Sequence, residues 1–263
     1  MSAQTLPRDI TSYDLLKTAA VITMIIDHIG IYFFPDEMWW RTIGRLSFPI
    51  WLFLIGYARS RDIPGTLIAG AVILIISNYI FGMGMFPLNI LVTIAVVRLA
   101  LNPLMDVLSR STRHLWIGSV SLFILSLPTF IVFEYGALAF VMAIFGYLVR
   151  HQNDEDDQRQ VYNYAVFIWV GYVFLQCFGY GLFGAKMAVL ATGMAAVMYG
   201  LYHFKSLTFP QLTAKATILG RGFLQLCGRR TLEIYIGHLL LFKALALYMG
   251  LEGYELFSWE WVW

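Results

Sequence analysis

The chain has 263 residues, of which 59% are hydrophobic and only 13% are charged. A soluble domain carries about 25% charged residues, so this composition, with a mean hydropathy of +0.70, excludes an ordinary soluble protein. The net charge of +2 gives no indication of nucleic-acid binding. Only helices or closed barrels satisfy the backbone in lipid, and the apolar runs have helix length. We therefore predict an all-α membrane bundle that forms a single domain over residues 1–263.

The hydrophobic pattern predicts nine transmembrane helices, each close to the length that a bilayer requires. A polar stretch near residue 209–226 is too hydrophilic to span, and we predict an interfacial or re-entrant helix there. Short connections between the segments force antiparallel neighbours. The predicted spans are 14–34, 44–60, 64–82, 87–107, 114–133, 135–150, 161–180, 184–201 and 231–249.

The basic residues predict the orientation of the bundle, because cytoplasmic loops carry an excess of Lys and Arg. With the N-terminus in the cytoplasm, the outer side receives only Arg41, Arg45 and Lys186, while most other basic residues, from Arg8 to Arg230, fall inside. The odd number of spans then places the C-terminus outside.

Two ionisable residues, Asp27 and His28, lie in the first predicted span, and such residues are functional candidates by default. Neighbours on a helix point about 100° apart, so each side chain needs a partner from another helix. We predict that Asp27 is the counter-ion of Arg45 or Arg41, which open the second span. His28 is then free to face a cavity, with a pKa range suited to proton transfer. A purely structural clamp with a carbonyl-bonded histidine is the alternative.

Further polar residues lie inside or beside other spans. Arg98 is in the middle of the fourth span, where it either forms a structural ion pair or binds an anionic ligand. His238 is a second intramembrane imidazole, deeper toward the cytoplasm than His28, and the pair suggests a polar path across the bundle. Glu134 lies at the outer edge and is expected to be solvated. We predict as substrate or cavity residues Arg41, Asn78, Glu233, Tyr235 and His238.

The motif from residue 27 to 30 (Asp-His-Ile-Gly) and the motif from 44 to 49 (Gly-Arg-Leu-x-Phe-Pro) resemble the TraX family. The founding member of that family is associated with N-terminal acetylation of conjugative pilin. Residues 88–93 and 134–136 also resemble family motifs. Residues 230–238 are similar, more loosely, to the last span of acyltransferase-3-type membrane enzymes. The resemblance touches most of the chain.

The resemblance implies a bacterial inner-membrane enzyme that transfers an acetyl group from cytoplasmic acetyl-CoA to an amine or hydroxyl of a protein or glycan. It makes His28 the catalytic histidine, acting as general base or as covalent acetyl carrier. Asp27 and Arg45 become its supporting residues, and Arg45 is a candidate to stabilise the oxyanion. The acceptor, its side of entry and a homo-oligomeric state stay open. As cofactor-binding residues for the phosphates we predict Arg98, Lys215, Arg221, Arg229 and Arg230.

No metal is expected, because Cys177 and Cys227 lack the spacing of metal ligands and imply no disulfide framework. Two other functions fit the same residues. A proton- or anion-coupled transporter would use as a relay Asp27, His28, Arg98 and His238, although no internal repeat is visible. A non-catalytic assembly protein would use them to hold the bundle together. The enzyme comes first because of the resemblance.

Overall fold

The computed structural model describes residues 9–258, and every regular element in that range is a helix. The predicted cytoplasmic position of Arg8 falls outside the described residues. The helices are α1 (Ser12–Phe33), α2 (Met38–Gly44), α3 (Ser47–Tyr57), α4 (Gly65–Ile80), α5 (Ile90–Leu108), α6 (Thr112–Thr129), α7 (Leu138–His151), α8 (Glu155–Tyr180), α9 (Ala185–Tyr202), α10 (Pro210–Lys215), α11 (Ile218–Arg229) and α12 (Thr231–Tyr248).

Each of the nine predicted spans contains a helix, but the count of nine membrane crossings is not confirmed. Within residues 9–258, five helices are long and apolar enough to cross a bilayer, namely α1, α5, α8, α9 and α12. The predicted second span is interrupted between α2 and α3, and α3 has 11 residues. At 1.5 Å per residue it is about 17 Å long, roughly half of a bilayer core. The predicted helix at 209–226 is also wrong in detail, because two short helices, α10 and α11, occupy that region.

The short helix α3 lies at the centre of the bundle against α7. Its side chains are buried almost all round, which is typical of a core helix rather than of a lipid-facing one. Gly56 and Gly146 allow the two backbones to touch, since a Cβ on Gly56 would overlap the carbonyl of Ala143 and one on Gly146 would overlap the carbonyl of Phe53. Small residues at such contacts are the usual means of close helix packing in membranes.

The start of α1 is fastened to α10 and to the segment that precedes α10. The backbone N–H of Ile10 donates to Oγ1 of Thr213 at 2.9 Å, and the N–H of Ser12 donates to the carbonyl of Leu207 at 2.9 Å. We call these bonds the α1 clasp. Because helix α1 carries Asp27 and His28, the clasp fixes one end of the helix that supplies both candidate residues.

Candidate functional site

Asp27 forms a buried ion-pair cluster with two arginines. Nη1 of Arg41 donates to Oδ2 of Asp27 at 2.9 Å, and Nε of Arg45 lies 3.6 Å from Oδ1. The three side chains are exposed by 12% or less. The predicted pairing of Asp27 with Arg41 or Arg45 is therefore confirmed, and both arginines take part. Arg41, predicted to contact substrate, belongs to this cluster.

Three tyrosines complete the cluster, and the sequence alone did not indicate them. Nη1 of Arg45 donates to the hydroxyl of Tyr135 and Nη2 donates to that of Tyr180, each at 2.7 Å. The hydroxyl of Tyr172 donates to the backbone carbonyl of Arg45 at 2.6 Å. Buried charges need such hydrogen bonds to offset the loss of water. Arg45 is therefore held by several partners, although its Nε makes no hydrogen bond.

Gly44 allows the helix pair that carries this cluster to approach closely. A Cβ at Gly44 would overlap the Cα and Cβ of Asp27. The backbone of α2 therefore lies directly on α1 at the turn that presents the acid. This contact explains why a glycine directly precedes Arg45 in the motif.

His28 forms a hydrogen bond with His238 across the bundle. Nδ1 of His28 lies 2.8 Å from Nε2 of His238, and Nδ1 of His238 lies 2.7 Å from the carbonyl oxygen of Ile234. A carbonyl only accepts, so Nδ1 of His238 carries a proton. With both rings neutral, Nε2 of His238 accepts from Nδ1 of His28, and Nε2 of His28 keeps its lone pair. The two histidines thus meet directly, whereas the sequence placed them at different depths along a path.

Glu134 is not the solvated residue that the sequence predicted. It lies in the loop between α6 and α7, and its Oε2 accepts the backbone N–H of Ile90 at 2.8 Å. Burial raises the pKa of the Glu134 carboxyl to about 7, against the opposing effect of the Arg45 guanidinium and that N–H. Its carboxyl faces the same small cavity as Asp27 and His28. The sequence signal was present, since residues 134–136 match a family motif.

Two adjacent cavities meet beside His28. The small one, about 30 Å³, is lined by His28, Glu134 and Ser47 among others, and a volume of this order holds a water molecule. The large one, about 350 Å³, is lined mostly by apolar side chains, with Lys17 and Arg98 as its cations. The two cavities share the lining residues Met24, Trp51, Ile90 and Tyr235.

Trp51 contributes a polar atom that sequence reasoning missed. Its indole Nε1 is buried and has no hydrogen-bond partner, although buried donors are normally paired. Its ring lines both cavities. A tryptophan in an apolar helix gives no signal of its own, because large aromatic residues are common in cores.

The predicted residues of the last helix separate into two groups. Tyr235 is buried, lines both cavities and lies beside His28, with ring centroids 6.0 Å apart. Glu233 is exposed and forms a surface ion pair with Arg230 at 2.9 Å. Asn78 lies elsewhere, where its side chain accepts a hydrogen bond from the buried Lys243. The site therefore gains Tyr235 and His238 but not Glu233 or Asn78.

The predicted phosphate-binding residues do not meet at one place. Arg229 pairs with Asp14, with Nε and Oδ1 3.5 Å apart, and Lys215 and Arg221 are exposed on α10 and α11. The residues that line the large cavity include Arg98 but none of those three, nor Arg230. The predicted ion pair of Arg98 is absent from the described residues, where its Nε donates instead to the carbonyl of Asp62 at 2.8 Å.

A comparison with protein families shows which family this chain is part of. The model of the family described as TraX protein matches residues 12–245. The chain belongs to the TraX family. The match runs from the start of α1 to the last turns of α12, so it contains every residue of the site, from Asp27 to His238.

One curated relative comes from Rickettsia prowazekii (strain Madrid E) and carries the name "Uncharacterized protein RP591". It is 31% identical over 145 residues, which are 54% of this chain and 58% of the relative. The matched part of the chain therefore spans little more than half the length of that protein. No solved structure matches the chain.

Proposed function

We propose that this TraX-family protein is an integral membrane acetyltransferase that moves an acetyl group from acetyl-CoA to an amine or hydroxyl acceptor. One observation carries the proposal. The histidine pair leaves Nε2 of His28 with its lone pair, His28 lines a small cavity, and an apolar cavity of about 350 Å³ lies beside that cavity. Ligand sites commonly have volumes of about 300–1,000 Å³.

His28 acts as the general base in this mechanism. Its Nε2 takes the proton from the acceptor nitrogen or oxygen as that atom attacks the thioester carbonyl carbon. The new bond to the acceptor forms, the carbon–sulfur bond breaks, and the thiolate of CoA leaves. The hydrogen bond from Nδ1 of His28 to His238 stabilises the imidazolium, as the partner of a catalytic histidine does in other enzymes.

The oxyanion needs a donor that is not already engaged. Arg45, the residue expected for this role, donates through its terminal nitrogens to Tyr135 and Tyr180. Its Nε makes no hydrogen bond and lies 3.6 Å from the Asp27 carboxylate, but Arg45 lines neither cavity. The N–H of Trp51 is buried, unpartnered and placed at the wall between the two cavities. We assign it as the hydrogen-bond donor to the developing oxyanion.

Glu134 supplies a second proton acceptor in the small cavity. An amine that arrives as an ammonium ion must lose one proton before it can attack and a second one as the bond forms. The carboxylate of Glu134 takes the first proton and His28 takes the second. The two side chains line the same cavity, and burial brings the pKa of Glu134 to about 7, close to the range in which a general base is effective.

The donor enters along the large cavity. The apolar walls suit the pantetheine arm, and Lys17 and Arg98 suit the charged remainder of the molecule, whose phosphates cannot enter lipid unpaired. In an inner membrane with the N-terminus of the chain in the cytoplasm, these two cations face the compartment that contains acetyl-CoA.

The test uses purified full-length protein in detergent, radiolabelled acetyl-CoA and a peptide with a free N-terminal amine. Wild-type protein should transfer label to the peptide. His28→Gln should lower the rate about 10²- to 10⁴-fold, the usual contribution of a general base. His114→Gln, which changes an exposed histidine of α6, is the matched control and should keep full activity. Transfer by His28→Gln at the wild-type rate would refute the assignment.

A further inference from the structure

Three arginines from different parts of the chain converge on the loop that follows α3. Arg61 donates through Nη1 to the carbonyl of Ala58 at 2.6 Å and through Nη2 to that of Gly56 at 2.7 Å. Arg150, from the end of α7, donates to the carbonyl of Tyr57 at 2.8 Å. Arg98, from α5, donates to the carbonyl of Asp62. We call residues 56–62 with Arg98 and Arg150 the arginine loop.

The positive charge of the arginine loop is not balanced by carboxylates. Within residues 9–258, no ion pair joins Arg61, Arg98 or Arg150 to an acid. The carboxylate of Asp62 lies nearby and accepts from the hydroxyl of Ser60. The carbonyls at the end of a helix carry only about half a negative charge in total. More than one positive charge is therefore left over.

A buried donor in the arginine loop also lacks a partner. Nε of Arg61 is buried and makes no hydrogen bond, although its two terminal nitrogens are engaged. A guanidinium presents its N–H groups as a fork that matches phosphate oxygens. The charge surplus around this donor indicates an anion.

The arginine loop borders the large cavity through Ala58 and Arg98. Ala58, Pro64 and Arg98 line that cavity, together with Lys17 from α1. Trp51 and Tyr235 line it as well and border the small cavity that contains His28. An anionic group at the arginine loop and an acyl group beside His28 can therefore belong to one elongated ligand.

We propose that the arginine loop binds the phosphate groups of a ligand whose apolar part fills the large cavity. The proposal rests on the proposed function, in which that ligand is CoA, with a diphosphate and a 3′-phosphate. An anionic phospholipid has the same chemistry, a phosphate joined to an apolar chain. Either way, phosphate recognition lies at the loop after α3 and not at α10 and α11, where the sequence placed it.

The experiment measures binding of radiolabelled CoA to the purified full-length protein in nanodiscs of phosphatidylcholine. Arg98→Gln should weaken CoA binding at least tenfold, because it removes a charged partner of the phosphates. Arg98→Lys keeps the charge and should retain most of the affinity. Arg159→Gln, which changes an exposed arginine of α8, is the matched control and should bind as wild type does. Equal thermal stability of the four proteins shows that they are folded.

A second arm identifies the source of the phosphate. Nanodiscs assembled from mixed phosphatidylcholine and phosphatidylglycerol are analysed for the lipid retained by each protein. Retention of phosphatidylglycerol by wild type and not by Arg98→Gln, with CoA binding unchanged, supports the phosphate site with a lipid as its ligand. Unchanged CoA binding together with unchanged lipid retention overturns the proposal. So does a loss of CoA binding in Arg221→Gln in place of Arg98→Gln.

Neither arm depends on catalysis. A protein that binds CoA through Arg98 but transfers no acetyl group refutes the proposed function and supports the phosphate site. If wild type transfers acetyl while Arg98→Gln binds CoA and retains lipid normally, the proposed function is supported and the phosphate site is refuted.

Discussion

The imidazole of His28 shares a hydrogen bond of 2.8 Å with the imidazole of His238, and the two residues are 210 positions apart in the chain. The bond joins the first long helix to the last one. Since Nδ1 of His238 is engaged by the carbonyl of Ile234, the pair has a fixed direction of donation that ends at Nε2 of His28. The first prediction uses that direction.

Replacing His238 should slow acetyl transfer according to whether an acceptor for His28 is kept. His238→Leu removes the acceptor, and we expect kcat to fall about 10- to 100-fold, a moderate part of the contribution of a general base. His238→Gln offers an amide oxygen to Nδ1 of His28 and should recover part of that loss. KM for acetyl-CoA should change little in both variants. Steady-state kinetics check this, and equal rates for the two variants would contradict the directed pair.

Asp27→Asn should destabilise the protein strongly. It leaves Arg41 and Arg45 buried without their carboxylate, and breaking a buried pair from one side typically costs about 3–5 kcal/mol. Thermal unfolding in detergent measures the change. Glu233→Gln breaks the exposed pair with Arg230 and is the control, with an expected cost of about 0.2–1 kcal/mol. Similar decreases in the free energy of unfolding of the two variants would show that the buried cluster stabilises the protein no more than a surface ion pair does.

Glu134→Gln should change how stability depends on pH. The pKa of Glu134 in the folded protein is about 7, raised by burial from an ordinary value of 4.5. The protonated carboxyl therefore contributes its full stabilisation below pH 4.5, and this stabilisation is lost as the pH rises through 7. A glutamine has no such loss, so the stability of the variant relative to wild type should rise by about 2 kcal/mol between pH 5 and pH 8.

Thermal unfolding at the two pH values measures this difference. Glu252→Gln, at an exposed position after α12, is the matched control and should show the same offset from wild type at both pH values. A constant offset for Glu134→Gln as well would mean that its carboxyl is solvated, as the sequence had predicted.

Trp51→Phe should lower kcat while the helix and the cavity wall keep their shape. The change removes the unpartnered indole N–H, and loss of one oxyanion donor typically costs about 10²- to 10³-fold in kcat. Trp116→Phe alters a tryptophan packed on Tyr164 and Phe167 and should leave transfer unchanged. Single-turnover measurements with saturating acetyl-CoA compare the variants. A normal rate for Trp51→Phe would assign the oxyanion to another donor.

Hydropathy predicted where the helices lie in the chain, but not whether each helix faces lipid or protein. It predicted a span over 44–60 because α3 is strongly apolar, yet an apolar helix can face protein as well as lipid. The glycines that seat α3 on α7, Gly56 and Gly146, give the structural reason. Helix length, and not hydropathy, separates α3 from the five helices that are long enough to cross a bilayer.

The site was predictable where one helix determines the geometry. The different directions in which the side chains of Asp27 and His28 point follow from helical periodicity. The need for an arginine beside Asp27 follows from the cost of an unpaired charge inside the membrane. Trp51 and Arg61 were not predictable as site residues, because their roles depend on contacts between distant segments. Glu134 lies in a family motif, but its burial was not predictable for the same reason. Arg61 and Arg150 carried only the signal of cytoplasmic basic residues.

The α1 clasp has a consequence for biosynthesis. Ile10 emerges from the ribosome 203 residues before Thr213, the residue that holds it. The clasp can therefore form only after α9 and the start of α10 have been synthesised. The hydrogen bond between His28 and His238 forms later still, because α12 follows in the chain. The bundle thus positions its first helix partly through contacts that only the later helices can supply.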